Sequence, residues 1–380
     1  MLRLNEGRRA LVVGAGIGGL AAALALAGKG WDVDVAEIKE ENFTVGVGIN
    51  HPANALRALR RLGLYEAVAE AGYRYRGIRR FAADGRLTAE FVPSDPPDVP
   101  FQISMTRADL HAVLTRAVGD LGVRIRLGTT WREIAEGTDG VTVEFSDGSR
   151  QAYDLMVGAD GIRSQLRSEL FGTGHAPVET GYVCWRMAVP RHPDMVLSEY
   201  WNVGDAKATV LHLNDDVMYL LVVEPGSMSE MPGRSEKARL LKEKLAPFGG
   251  LIAYVRDTIT PESEIHVAVL EEVFLPAPWY KGHVVLIGDA AHAVTPHLAQ
   301  GAGMAMEDAI VLAETLVDTA VPQAFDAFMK RRYDRVKYVQ DQAHAILLNE
   351  MEPDPVRKAE FAASLGARQQ EITARLSAPA

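Results

Sequence analysis

Asp289, Asp160 and Glu37 are the residues around which chemistry can be built in this chain, because each stands at the end of a strand-like run, the first two with glycines beside them. Val284-Val285-Leu286-Ile287 ends at Gly288-Asp289. Ala152 to Val157 runs into Gly158-Ala159-Asp160-Gly161, and Val33 to Ala36 delivers Glu37. The run before Asp289, apolar and β-branched on both faces, reads as a central parallel strand, and open α/β sheets take their ligands at the carboxyl ends of such strands. Downstream of Asp289, Pro296 stiffens a loop and Gln300-Gly301-Ala302-Gly303 opens a helix. Amide groups at a helix start have no partner inside the helix and favour negative charge. One segment thus offers an acceptor for sugar hydroxyls and, a loop later, a nest of donors. A large cofactor with a ribityl chain and an electron-accepting ring needs both.

The elements that must position these groups begin near the N-terminus. Ala10-Leu11-Val12-Val13 reads as a strand, Gly14-Ala15-Gly16-Ile17-Gly18-Gly19 as a tight turn, and Leu20 to Lys29 as an alanine-rich helix. Gly14, Gly16 and Gly19, with Glu37 about twenty residues on, form a dinucleotide fingerprint in a strand-turn-helix setting. Gly14 allows the turn, Gly16 lets a pyrophosphate approach, Gly19 seats the helix on the sheet, and Glu37 accepts from ribose hydroxyls. The fingerprint does not choose between NAD and FAD. Val45 to Asn50 forms a second glycine turn, whose Gly46 and Gly48 suggest backbone pressed close to something flat. Tyr73 to Phe91 reads as a hairpin about Asp84-Gly85, Asp95-Pro96-Pro97 as a surface loop, and Thr106 with Asp109 as the cap of a helix from Arg107. Val141 to Phe145 and Ala152 to Val157 read as a further hairpin.

Composition sets bounds. With 380 residues, 48% hydrophobic and 24% charged, the chain can bury a large core. Its formal net charge of -10 argues against nucleic acid as a partner. One cysteine, Cys184, excludes an intrachain disulfide and fits a cytoplasmic setting. The uncharged run Ala10 to Gly28 is interrupted by glycines and reads as strand, turn and helix rather than a membrane span. No cluster has metal-ligand spacing. The expected architecture is α/β: a Rossmann-like domain interleaved with a mostly antiparallel β-rich domain, followed by C-terminal helices. We assign 1–72, 105–172 and 274–350 to the cofactor domain, 73–104 and 173–273 to the β-rich substrate domain, and 351–380 to a helical tail.

Three motifs stand in order: Gly14-x-Gly16-x-x-Gly19, Gly158-Ala159-Asp160-Gly161-Ile162-Arg163-Ser164, and Gly288-Asp289-Ala290-Ala291-His292. The trio, with this spacing, resembles the single-component FAD-dependent aromatic hydroxylases, the family of para-hydroxybenzoate, salicylate and 6-hydroxynicotinate hydroxylases. The resemblance spans residues 9 to about 345. It implies bound FAD, with Gly14, Gly16, Gly19 and Glu37 on the adenosine diphosphate part and Asp289, after Gly288, on the ribityl chain. Arg107 would contact the flavin, and Asp160-Gly161 would serve both FAD and the nicotinamide cofactor. Pro296, Gly301, Ala302 and Gly303 would wall the ring, with Gly46 and Gly48 near its other side. It also implies that NADH or NADPH visits without a second Rossmann domain, and that dioxygen is activated as a flavin hydroperoxide. The expected partners are a small aromatic substrate and dioxygen, in a monomer or homodimer.

A phenol or hydroxypyridine reacts faster once deprotonated, so a base in the pocket is useful. Candidates are His297, His212 and His51. The run Pro296-His297 to Gly301 resembles that of 6-hydroxynicotinate hydroxylase, whose matching histidine lies in the pocket. Asn50 stands where that enzyme carries another histidine. His212 also reads as a satisfied sheet histidine, and His283 and His292 read as structural. Cys184 and Arg186 share one strand face with Tyr182. Arg186 reads either as a bidentate carboxylate clamp or as half of a salt bridge, and Tyr200 joins it as a substrate candidate. Alternatives are a tailoring oxygenase that epoxidises or dearomatises a natural-product ring, a reductase that does not activate oxygen, and a non-catalytic flavin-binding protein.

Overall fold

Leu11, Val12, Val33, Val35, Leu155 to Val157 and Val284 to Leu286 are all buried, which requires cover on both faces of the sheet they form. The computed structural model, which describes residues 7–41, 47–82, 84–92, 98–99, 101–203, 206–352 and 354–380, supplies it. The expected loop Asp95-Pro96-Pro97 and the glycine at Gly46 lie outside the described residues. Six strands run in the order Tyr280–Lys281, Val284–Leu286, Leu155–Gly158, Arg9–Val13, Asp32–Ala36, Arg124–Arg126. All are parallel except the first. The strands ending in Leu286, Gly158, Val13 and Ala36 are therefore neighbours, and the glycine-acid junctions meet at one carboxyl edge. Helix Ile17–Gly28 packs through alanines against helix Gly301–Thr315, close enough that a Cβ on Gly18 would lie 3.2 Å from that of Ala305.

The segment expected as one strand from Ala152 to Val157 is two. Arg150–Tyr153 completes a small antiparallel ribbon with Val141–Phe145 and Trp131–Glu136, and Leu155–Gly158 enters the parallel sheet. Asp154 makes the break: its carboxylate accepts from Arg9 N at 2.7 Å and its own N–H donates to Arg9 O at 2.9 Å, pinning the chain as it changes sheets.

A second, seven-stranded sheet runs His266–Glu272, Val178–Pro190, Val217–Pro225, Ala206–His212, Ser198–Val203, Ile78–Phe81, Leu87–Phe91. It is antiparallel apart from the pairing of Ser198–Val203 with Ile78–Phe81. Helices Lys237–Leu245 and Gly250–Thr258 bury one face, on Trp185, Trp201, Val210 and Leu220. Residues of opposite parity, including Cys184, Arg186, Tyr219 and Tyr200, occupy the other face. A three-stranded sheet missing from the sequence reading, Gly48–His51, Gln102–Thr106 and Tyr73–Tyr75, lies between the lobes. Helix Val321–Met351 ties them together: Phe325 and Phe328 pack in the main core, and Leu347 joins Tyr182, Cys184 and Leu270. Helix Pro355–Ser377 lies against it, and Arg335 donates to Arg375 O, Leu376 O and Ala378 O.

Candidate cofactor and substrate site

The first junction admits only glycine at two of its positions. Gly14 has φ 102°, and a Cβ there would lie 2.4 Å from Ala159 O; at Gly19 it would lie 1.9 Å from Gly14 O. Gly16 meets nothing within 4 Å and lines a cleft of about 370 Å³ with Glu37, Lys39, Thr130, Asp160 and Gly161. The Glu37 carboxylate accepts from Ala15 N at 2.7 Å and Lys39 N at 3.0 Å, which aims it along the cleft. His111, unremarked in the sequence, sits one helical turn beyond Arg107 and places Nε2 2.8 Å from Ala15 O. It holds the glycine turn from below.

At the second junction Ser164 caps helix Gln165–Phe171, and Asp160 accepts from Leu166 N in its first turn at 3.1 Å through Oδ2, while its buried Oδ1 has no partner. Arg167, also unforeseen, is 2% exposed and donates to Ile162 O, His175 O and Ala290 O, so it fastens the second junction to the third.

The third junction rests on a buried charge network. Asp308 accepts from Gly288 N at 2.9 Å, from Arg332 Nε at 2.7 Å, and pairs with His292 Nε2 at 2.6 Å. Glu307 accepts from Arg332, Arg335 and Asn54, and Asn54 exchanges bonds of 2.8 and 3.0 Å with Gln300. These contacts set the Gly288-Asp289 turn and the start of helix Gly301–Thr315, and they make His292 structural. Met304 N closes the first helical turn on Gln300 O, so the N–H groups of Gly301, Ala302 and Gly303 have no acceptor within the helix. Gly303 also lets helix Ala53–Arg61 approach, since a Cβ there would lie 3.2 Å from that of Ala55. Asp289 itself is exposed yet ringed by protein. Desolvation raises its carboxyl above the usual range, with His292 and Arg107 opposing.

Arg107 couples Asp289 to Arg186 and Tyr219. Burial lowers the Arg107 guanidinium, Asp289 counters, and Arg186 and Tyr219 lie within electrostatic reach. Its Nε is buried without a partner. Burial raises the Tyr219 phenol, which Arg186 and Arg107 oppose. Tyr219 stands in no motif, and only strand register shows that it shares the face of Arg186 and Cys184. Gly48 is needed here, because a Cβ would lie 2.6 Å from Leu213 Cδ2 and 2.9 Å from the Tyr219 ring. Tyr200 lies on the same face and is approached by Arg80 at 5.8 Å. The hydroxyls of Ser198 and Thr209 there are buried without partners. His297 lies half-buried on the turn Pro296–Leu298.

Two of the candidates are placed differently. Asn50 accepts from Ser104 Oγ at 3.2 Å and contacts Gln102 at 3.4 Å, within its own sheet. His212 shares the face of Ala208 and Val210, sets Nε2 3.1 Å from Met195 O, and stacks on Tyr73 with centroids 4.3 Å apart. Burial drives both His212 and the fully buried His51 from 6.5 down to about 4. Both are neutral in the fold and gain protons on unfolding in acid. Stability is therefore full above about 6.5 and falls as pH drops toward 4. In His51→Leu the slope of unfolding free energy over that window is expected to be shallower by up to about 1.4 kcal/mol per pH unit. Urea denaturation at stepped pH reads it, and an unchanged slope contradicts it.

Among the described residues no group of side chains could hold a metal ion, and no helix is long and apolar enough to cross a membrane. The partnerless Asp160 Oδ1 and Arg107 Nε, the open side of Gly16 and the first-turn amides at 301–303 suit a flavin dinucleotide. A family model described as an FAD binding domain matches residues 8–343. The chain is 33% identical over 338 residues to 2-heptyl-3-hydroxy-4(1H)-quinolone synthase of Pseudomonas aeruginosa, covering 88% of this chain and 87% of that one. It is 30% identical over 360 residues to 6-hydroxynicotinate 3-monooxygenase of Bordetella bronchiseptica, covering 88% and 90%. In fold it matches Klebsiella pneumoniae HpxO complexed with FAD and uric acid, with TM-score 0.88 and 24% identity over 98% of this chain and 97% of that one. The chain, with FAD as its cofactor, belongs to the family of FAD-dependent monooxygenases that includes the aromatic hydroxylases.

Proposed function

We propose that this protein uses NADH or NADPH and dioxygen to hydroxylate an aromatic or heteroaromatic acid of the phenol or hydroxypyridine type. One observation carries the reading: Arg186 and Tyr219 share one face of the antiparallel sheet, and Arg107 lies within electrostatic reach of both and of Asp289. Such a face suits an electron-rich ring with a negative edge. The hydroxynicotinate and quinolone in the relatives' names support a heteroaromatic ring.

When bound, FAD supplies the electron transfer and oxygen activation. Gly14, Gly16, Gly19 and Glu37 would hold its adenosine diphosphate half, Asp160 and Gly161 the middle, and Asp289 the ribityl hydroxyls. Arg107 and the amides of Gly301 to Gly303 would stabilise negative charge on the ring, with Pro296 shaping the wall. Arg186, Tyr219 and Tyr200 orient the substrate, while Cys184 is 0% exposed and packs behind them with Leu347. His297 takes the proton from the substrate hydroxyl.

Two expected results follow. Arg186→Met raises KM for an acidic substrate at least tenfold, in line with about 1.5–3 kcal/mol for a hydrogen bond to a charged group, and leaves the flavin spectrum intact. Unchanged steady-state kinetics would remove Arg186 from the site. His297→Ala slows product formation by roughly 100-fold with FAD retained, and steepens the rise of rate with pH as the substrate's own ionisation takes over. Normal turnover would dismiss it as the base. The assay is oxygen consumption and product mass over a panel of hydroxylated benzoates, pyridines and quinolones.

A further inference from the structure

The cleft extends past Glu37, and an aromatic ring stands at that end. Gly128 N donates to Lys39 O at 2.8 Å and Thr129 N to Glu37 O at 2.9 Å, so the segment 128–131 is zipped alongside the ribose-binding acid. Thr130 O in turn accepts from Ser146 N at 2.8 Å, and Trp131 pairs with Phe145 at the edge of the antiparallel ribbon. These bonds fix Trp131 where it lines the same cleft as Gly16, Glu37 and Lys39. Of the five tryptophans, Trp31, Trp185, Trp201 and Trp279 are at most 4% exposed, and Trp131 alone is only half-buried.

With the pyrophosphate at Gly14 to Gly16 and the ribose at Glu37, the group that follows is adenine. We infer that Trp131 is the wall on which the adenine ring of FAD stacks, a positioning residue for the cofactor. Its indole offers a flat π-face in the same cleft as Thr130 and Lys39, on which a base can stack.

Two measurements on the full-length protein test this. The first is the FAD dissociation constant, read as flavin fluorescence released when the holoprotein is diluted. Trp131→Ala is expected to raise it about tenfold, and Trp131→Phe to leave it within about threefold. Equal retention of FAD by Trp131→Ala and wild type would overturn the assignment. The second uses ADP on flavin-stripped protein and does not depend on how the alanine variant folds. ADP is expected to change the tryptophan emission of wild type and leave that of Trp131→Phe unchanged, while competing with FAD in both. Emission indifferent to ADP in wild type, or equally responsive in Trp131→Phe, would place the adenine elsewhere.

Discussion

Asp289→Asn is expected to purify nearly colourless and yet to melt higher, as apoprotein, than wild type. Hydrogen bonds from neutral hydroxyls to a carboxylate contribute about 1.5–3 kcal/mol, so the neutral amide should weaken FAD binding by roughly ten- to hundredfold. The opposite sign in the apoprotein follows from the raised carboxyl. Desolvation lifts it above its ordinary 3.8, so the stability it contributes is complete below that value and is lost as pH rises through the folded value. At neutral pH the ionised Asp289 opposes folding, and the amide removes that opposition. Melting temperatures of both apoproteins should therefore diverge from acid to neutral pH. A variant that keeps a full complement of FAD, or melts below wild type at neutral pH, contradicts the ribityl assignment or the electrostatics respectively.

Arg332→Met is expected to cost about 3–5 kcal/mol of unfolding free energy. Arg332 is 0% exposed and serves both Glu307 and Asp308, so methionine leaves two buried carboxylates short of charge. Burial opposes ionisation of each. For Asp308 the charges of His292 and Arg332 outweigh it, and for Glu307 those of Arg332 and Arg335 do, so both carboxyls sit below the usual range. Their contribution is present above the ordinary carboxylate value and is lost as pH falls through the depressed one. Without Arg332 that loss should begin at higher pH. FAD affinity should fall too, because Asp308 holds Gly288 N behind Asp289. Chemical denaturation at neutral and mildly acidic pH measures the first effect, and flavin release the second. Wild-type stability in the variant would make the network incidental.

The contrast between these two residues shows what was legible. The junction at Asp289 could be read from the sequence because it is local: an apolar strand, a glycine and an acid in succession. The same holds for Gly14, Gly19 and Asp160, and the strands they follow proved to be adjacent and parallel. Arg332 could not be read, because its partners come from another helix, and the bonds of that network join residues as far apart as Asn54 and Glu307. Tyr219 needed the register of an antiparallel pair, since a shift of one residue exchanges the faces of a strand. His212 was legible as a residue but not as a contact: its strand parity and its Met195 partner turn it away from Arg186. Trp131 lay in a segment with no motif, and only the bonds from Gly128 and Thr129 bring it beside Glu37.

Turnover under oxygen-18 gas tests the central claim most directly. Holoprotein supplied with NADH or NADPH and a hydroxylated heteroaromatic acid should yield a product heavier by one oxygen-18 atom, with one nicotinamide oxidised per product formed. Oxidation of the nicotinamide across the substrate panel without labelled product would contradict it and identify a flavin protein that does not oxygenate these rings.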